Sequence, residues 1–133
     1  MNGVRLHTAD GPSGLVYERI ESPQLKEGEA LVRIHAAAIT RDELSWPVDR
    51  LPAIPSYEFS GVVEGVGHNN ENVAVGDEVY ALSPFDRDGA AAEYIAIPGQ
   101  FLAPKPKSID HLHSASIPLA ALTAWQALFD HGQ

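Results

Sequence analysis

The stretch Ile54-Pro-Ser-Tyr-Glu-Phe-Ser-Gly-Val-Val-Glu-Gly-Val-Gly67 limits the fold more than any other part of the chain. It enters through Pro52 and Pro55, which hold the backbone extended and block helix. It then runs into β-branched residues, Val62, Val63 and Val66, interrupted by Gly61, Gly65 and Gly67. A strand so rich in glycine either admits another backbone closely or bends at a barrel corner. Tyr57 and Glu58 stand where the loop enters this strand, and loop residues held by a rigid strand are where sites are built. A nucleotide-binding fingerprint is set aside. The spacing is G-x-x-x-G-x-G rather than G-x-G-x-x-G, and no helical pattern follows.

The flanking sequence supplies more strands. Residues 3–7 and 15–20 read as a hairpin around the turn cluster Asp10-Gly-Pro-Ser-Gly14. Residues 29–39 form the clearest strand, with Val32, Ile34 and Ala36 on one face and Leu31, Arg33 and His35 on the other. Thr40 with Glu43 has capping-box spacing, which predicts one or two helical turns stopped by Pro47. Further strands are expected over 59–66, 78–82 and 91–97. A last extended piece begins at Phe101 and ends in Pro104 and Pro106. Ser108 is the expected cap of a short helix through His113. From Pro118, apolar residues at helical spacing predict a helix to Asp130, closed by Gly132. Many short strands followed by helix make a mainly β fold, an irregular barrel or sandwich with a helical end.

Composition narrows the chemistry by exclusion. With no cysteine, the 133-residue chain has no disulfide, thiolate zinc site or cysteine nucleophile. Its nine Lys and Arg are scattered singly and its net charge is −9, which leaves no basic footprint for nucleic acid or an anionic membrane. The first residues do not read as a signal peptide, and no run approaches the roughly 18 apolar residues of a span. A cytoplasmic protein is the expectation. The six histidines, His7, His35, His68, His111, His113 and His131, are scattered and are expected at ordinary surface or helix-end positions. On a helix, His111 and His113 would face different ways.

Six segments in order then carry a resemblance: residues 29–39, 54–67, Val75-Gly-Asp-Glu-Val-Tyr80, Gly89-Ala-Ala-Ala-Glu-Tyr94, Ala103-Pro-Lys-Pro106 and Leu122-Thr-Ala-Trp-Gln-Ala-Leu128. Their order and spacing resemble the N-terminal, GroES-like catalytic domain of the medium-chain dehydrogenase/reductase superfamily. The resemblance implies a partly open β-barrel with short helices. In full-length members a Rossmann domain that binds NAD or NADP follows, and the expectation is that this chain lacks it and shows no reductase activity alone. The helix after Pro118 would then leave apolar side chains uncovered, and homo-oligomer formation through that end is expected.

The zinc-dependent members of that superfamily carry Cys-x-x-Asp after the long strand and Gly-His-Glu at the glycine-rich strand. Here the same places read Thr40-Arg-Asp-Glu43 and Ser56-Tyr57-Glu58. Neutral hydroxyls are poor zinc ligands beside thiolate and imidazole. The chain therefore resembles the zinc-independent branch, quinone oxidoreductases and enone reductases that use NADPH on a small-molecule substrate. No metal ligand is assigned.

The resemblance implies roles residue by residue, each set beside a plainer one. Tyr57 is the candidate oxyanion donor, or a tyrosine packed under the loop. Thr40 is the second catalytic candidate, or a helix cap. Arg41 matches a cofactor-phosphate arginine of some members, or is solvated surface. Trp46 and Phe85 would wall an apolar substrate pocket, or pack. Thr123 would approach the nicotinamide. Glu58 is expected as a buried carboxylate supporting the loop, and Trp125 and Leu128 as helix-core residues. The competing function is a non-enzymatic binding module that kept the barrel; a co-chaperonin ring protein fits poorly with the long C-terminal segment.

Overall fold

The computed structural model describes residues 1–46 and 49–132. The expected stop at Pro47 lies outside the described residues. Seven strands form: β1 (Asn2–Leu6), β2 (Leu15–Arg19), β3 (Glu29–Ala38), β4 (Glu58–Val66), β5 (Glu78–Leu82), β6 (Tyr94–Pro98) and β7 (Ala103–Pro104). Two helices follow, α1 (His111–Ala115) and α2 (Pro118–Trp125), and Gln126–Asp130 continues as a π turn.

β1 and β2 pair as a hairpin, and the other five strands make one antiparallel sheet in the order β6-β3-β4-β5-β7. The sheets do not close on each other, so the fold is mainly β and partly open. The hairpin is fastened to the larger unit by bridges from Gly3 to Ala92 and from Leu6 to Ala53. Between them lies a core of small and β-branched residues around the fully buried Phe59, including Val32, Val63, Val79, Ile95 and Ile97. Ile34 packs against it while Arg33 and His35 are exposed, the face assignment expected for β3.

The register of β3 on β4 explains the bend. Ile34 pairs with Gly61 and Ala36 with Ser60, so His35 is an extra residue on β3. Leu31 pairs with Gly65 and Val32 with Val63, so Glu64 is an extra residue on β4. Two opposed bulges in one strand pair raise the local twist and re-aim side chains. Gly61 sits at the first bulge, and a Cβ there would collide with the Arg33 carbonyl. Gly65 meets nothing closer than 3.4 Å, so crowding accounts for only part of the glycine content.

Several local expectations shift. The 91–97 strand starts at Tyr94, with Ala92 making only a bridge. Phe101 belongs to a 3-10 turn, Gly99–Phe101, and the last strand starts at Ala103. The cap of α1 is Asp110, whose carboxylate accepts the His113 N–H at 2.9 Å, rather than Ser108. A carboxylate two residues nearer the helix outcompetes the serine because it reaches the N3 donor. After Thr40 there is a single 3-10 turn, Glu43–Ser45, entered through Asp42 at φ 66°, and the Thr40 side chain does not cap it.

Candidate functional site

The loop before β4 is clamped from both sides. Residues 83–91 hold one edge: the Ser83 N–H donates to the Tyr57 carbonyl at 2.7 Å, Ala91 N–H to Pro55 at 3.0 Å, and Gly89 N–H to Ile54 at 2.8 Å. The Asp88 carboxylate accepts the Ile54 N–H at 3.0 Å. On the other edge, Ser56 Oγ donates to the Ala38 carbonyl at 2.8 Å. Glu43 completes the clamp: one carboxylate oxygen accepts the Ser56 N–H and the other the Thr40 N–H at 3.0 Å. Glu43 is buried and spends both oxygens on backbone donors. The capping-box spacing pointed to one of these bonds. The second, across the loop, had no sequence signal.

Ser56 is held at φ 72°, in the left-handed region. The constraint turns the next side chain, Tyr57, inward, where it is buried against two other aromatics. The ring centroid of Phe85 lies 5.0 Å from that of Tyr57, edge to face, and that of Trp46 lies 6.5 Å away, nearly parallel. Trp46 and Phe85 themselves meet edge to face at 5.8 Å. These are the favourable geometries of aromatic pairs. Together with Leu6, Glu43, Ala53, Ile54 and Pro55 they line a cavity of about 220 Å³. Burial pushes the Tyr57 phenol above its ordinary range; the Arg50 guanidinium opposes the rise, and the charges of Glu43 and Asp88 add to it. The phenol is therefore a neutral donor at physiological pH.

The structure thus brings Tyr57, Trp46 and Phe85 together and sets Thr40 one hydrogen-bonded step away through Glu43. Arg41 and Thr123 do not line this cavity. Arg41 projects into solvent, 94% exposed, with Asp42 3.8 Å distant. The Thr123 hydroxyl donates to the Leu119 carbonyl one turn back at 2.7 Å. Glu58 is buried and accepts the Leu119 N–H at 2.9 Å, so it joins the start of β4 to the first turn of α2. Burial raises its carboxyl above the usual range, that hydrogen bond opposes the rise, and Glu43 adds to it.

A second cavity of about 300 Å³ lies between α2 and the β5–β7 edge, lined by Tyr80, Leu82, Phe101, Ala121, Leu122 and Trp125 among others. Beyond it, Trp125 and Phe129 stack at 4.6 Å in the open. Trp125 is 60% and Leu128 66% exposed, which corrects their expected place in a helix core. The exposure agrees with the uncovered apolar face expected for this helix.

His111 also departs from expectation. It is half-buried and joins three strands: Ser60 Oγ lies 2.7 Å from its Nδ1, Glu78 lies 3.3 Å from its Nε2, and the His35 ring stacks on it at 4.4 Å. The bulge in β3 turns His35 toward it, which single-strand alternation could not reveal. His113, as expected, faces elsewhere and pairs with Asp110. Among the described residues, no group of three or more His, Cys, Asp or Glu is placed to hold a metal ion. None of the described helices is long and apolar enough to cross a membrane.

A partly open antiparallel barrel with a clamped loop, an aromatic-lined cavity at the strand entrance and a terminal helix defines the substrate-side domain type of the alcohol dehydrogenase-like oxidoreductases. Residues 26–107 match the alcohol dehydrogenase GroES-like domain, and the chain belongs to that family. It is 36% identical over 125 residues to an NADPH-dependent alkenal/one oxidoreductase of Arabidopsis thaliana chloroplasts, covering 80% of this chain and 31% of that protein. It is 36% identical over 113 residues to a probable zinc-binding oxidoreductase of Arthroderma benhamiae mitochondria, covering 82% and 34%. The solved quinone oxidoreductase from Coxiella burnetii superposes with a TM-score of 0.90 at 28% identity, covering 98% of this chain and 44% of that one. The chain spans about a third of the length of these two curated relatives.

Proposed function

We propose that this chain is the substrate-binding half of a zinc-independent, NADPH-dependent reductase of quinones, enones or related carbonyl compounds. The observation that carries this reading is the meeting of Trp46, Tyr57 and Phe85 around one apolar cavity. Flat rings on its walls suit a flat conjugated substrate. Tyr57 supplies a neutral donor to the oxygen that gains negative charge as the conjugated system is reduced, and Trp46 and Phe85 keep water from it. A bound reduced nicotinamide supplies the hydride.

Arg41, unencumbered at the surface, suits a cofactor phosphate. Thr123 keeps its oxygen lone pairs for a donor on the cofactor side. Zinc fits the site poorly: the two positions that bear ligands in zinc-dependent relatives hold Thr40 and Tyr57, neutral hydroxyls, and the chain has no thiolate. The name of the Arthroderma relative includes zinc binding, so this donor set is a point of difference worth testing by metal analysis of the whole protein.

The test uses 2-cyclohexen-1-one as probe. Amide resonances of residues 53–57 and 85 are expected to move on titration, and the absence of such movement overturns the reading. In the whole protein with NADPH, Tyr57→Phe is expected to lower turnover, and unchanged turnover removes Tyr57 from the mechanism. The isolated chain is expected to bind NADPH more weakly than micromolar, measured by calorimetry. Sedimentation velocity tests whether the exposed α2 end makes the isolated chain self-associate. Placement in the cytoplasm stands against relatives named as mitochondrial and chloroplastic, and fractionation of the tagged whole protein decides it.

A further inference from the structure

Arg50 is the one cation near the aromatic cavity whose role the clamp does not explain. Its Nη1 lies 3.1 Å from Asp49 Oδ1 and its Nε lies 4.0 Å from Asp88 Oδ1. These two carboxylates fix the guanidinium from one side. Its Nη2 is buried and has no hydrogen-bond partner among the described residues. A buried guanidinium N–H without an acceptor costs on the order of 1–3 kcal/mol, so its position needs a reason.

The nearest functional group is the Tyr57 hydroxyl. The Arg50 charge and a weak hydrogen bond act on that phenol, opposing the effect of burial. The two groups do not close to a full hydrogen bond among the described residues. Tyr57 Oη has an accepting lone pair, and its own O–H is the only donor it carries. If the phenol oxygen accepts from Arg50, its proton is left for something else, and the cavity is what Tyr57 lines.

We propose that Arg50 is a positioning residue for Tyr57: Nη2 donates to the phenol oxygen and leaves the Tyr57 O–H directed into the cavity. The arrangement makes Tyr57 a donor of fixed direction rather than a free rotor, and a stronger acid than a phenol buried among Glu43 and Asp88 alone. Lysine could supply the charge but not the rigid fork that serves Asp49 and Tyr57 together. The inference rests on the role given to Tyr57 under the carbonyl-reduction reading, but its test uses neither substrate nor nicotinamide. A failure here is therefore separate from a failure to bind cyclohexenone.

The experiment is a titration of the four tyrosines by NMR of Cζ-labelled chain, with Tyr57→Phe identifying the Tyr57 signal. The groups that face this phenol are Arg50, Glu43 and Asp88. Arg50→Gln is expected to raise the Tyr57 midpoint by about one pH unit, a tenfold change in acidity, and to leave Tyr17, Tyr80 and Tyr94 unmoved. Arg50→Lys is expected to give back part of that shift. Equal Tyr57 midpoints in folded Arg50→Gln and the unaltered chain overturn the proposal. Should Arg50→Gln not fold, the unaltered chain still decides. The Arg50 Cζ resonance must move with the Tyr57 midpoint, and a resonance blind to Tyr57 ionisation overturns the proposal.

Discussion

Ser60 Oγ lies 2.7 Å from His111 Nδ1 and 2.9 Å from the Val79 carbonyl, so one fully buried hydroxyl in β4 ties α1 and β5 to the barrel. A serine has one proton for two acceptors, so with the hydroxyl given to Val79 the imidazole donates to Ser60. Ser60→Ala strands a half-buried ring nitrogen and weakens the α1 attachment. The expected loss is about 1–3 kcal/mol of unfolding free energy, measured in urea. Coupling to His111→Asn in a double-mutant cycle checks that the loss runs through this contact.

His35 gives the same junction a pH dependence. Its pKa is lowered, first by burial, then by the positive charge of His111 and by Arg33, with Glu78 and Glu64 opposing. A base with a depressed folded pKa contributes its full stability above the unfolded value, near 6.5, and loses it as pH falls through that value toward the folded one. The urea midpoint is expected to fall between about pH 7.5 and 5.5. His35→Gln, which cannot be protonated, is expected to flatten that decline. A parallel decline in the variant shows that His35 does not drive it.

The strands were legible because β-branched residues, glycines and prolines punctuate them, and the site loop because Tyr57 and Glu58 follow a proline-fixed entry. The gathering of Trp46, Tyr57 and Phe85 was legible only through the resemblance, since nothing in local spacing joins residues so far apart in the chain. Three things were not legible. The two bulges depend on how β3 meets β4, and a one-residue offset shows only in the pair. The clamp by Glu43 crosses from one loop to another. Arg50 showed no motif at all, because its place is fixed by Asp49 and Asp88 and by the fold that brings residue 88 beside residue 54.

Gly89 is the point where the loop after β5 passes closest to the site loop. A Cβ there would collide with the backbone oxygens of both Pro55 and Ser56, neither of which can give way without breaking the hydrogen bonds from Gly89 and Ala91. Gly89→Ala is expected to cost roughly 1–3 kcal/mol. It is also expected to disturb the amide resonances of residues 54–57 more than those of β6. Gly65→Ala, where the nearest atoms lie at 3.4 Å, serves as the control and is expected to be nearly neutral.

Glu58 separates the worth of a hydrogen bond from the cost of a charge. Its carboxylate accepts the Leu119 N–H at 2.9 Å and so satisfies a donor in the first turn of α2, yet burial raises its pKa. For an acid with a raised folded pKa the folded state binds the proton more tightly than the unfolded one. Stability therefore increases as pH falls through the folded pKa toward the unfolded value near 4.3, and the buried charge is a cost at neutral pH. Glu58→Gln keeps an acceptor for Leu119 and removes the charge. It is expected to match or exceed the parent in urea at pH 7, with the difference closing as the parent protonates. Glu58→Ala removes the acceptor as well and is expected to lose about 1–3 kcal/mol at both pH values. Equal losses for Gln and Ala at pH 7 would mean that the carboxylate charge itself, acting on the N-terminus of α2, holds the helix to β4.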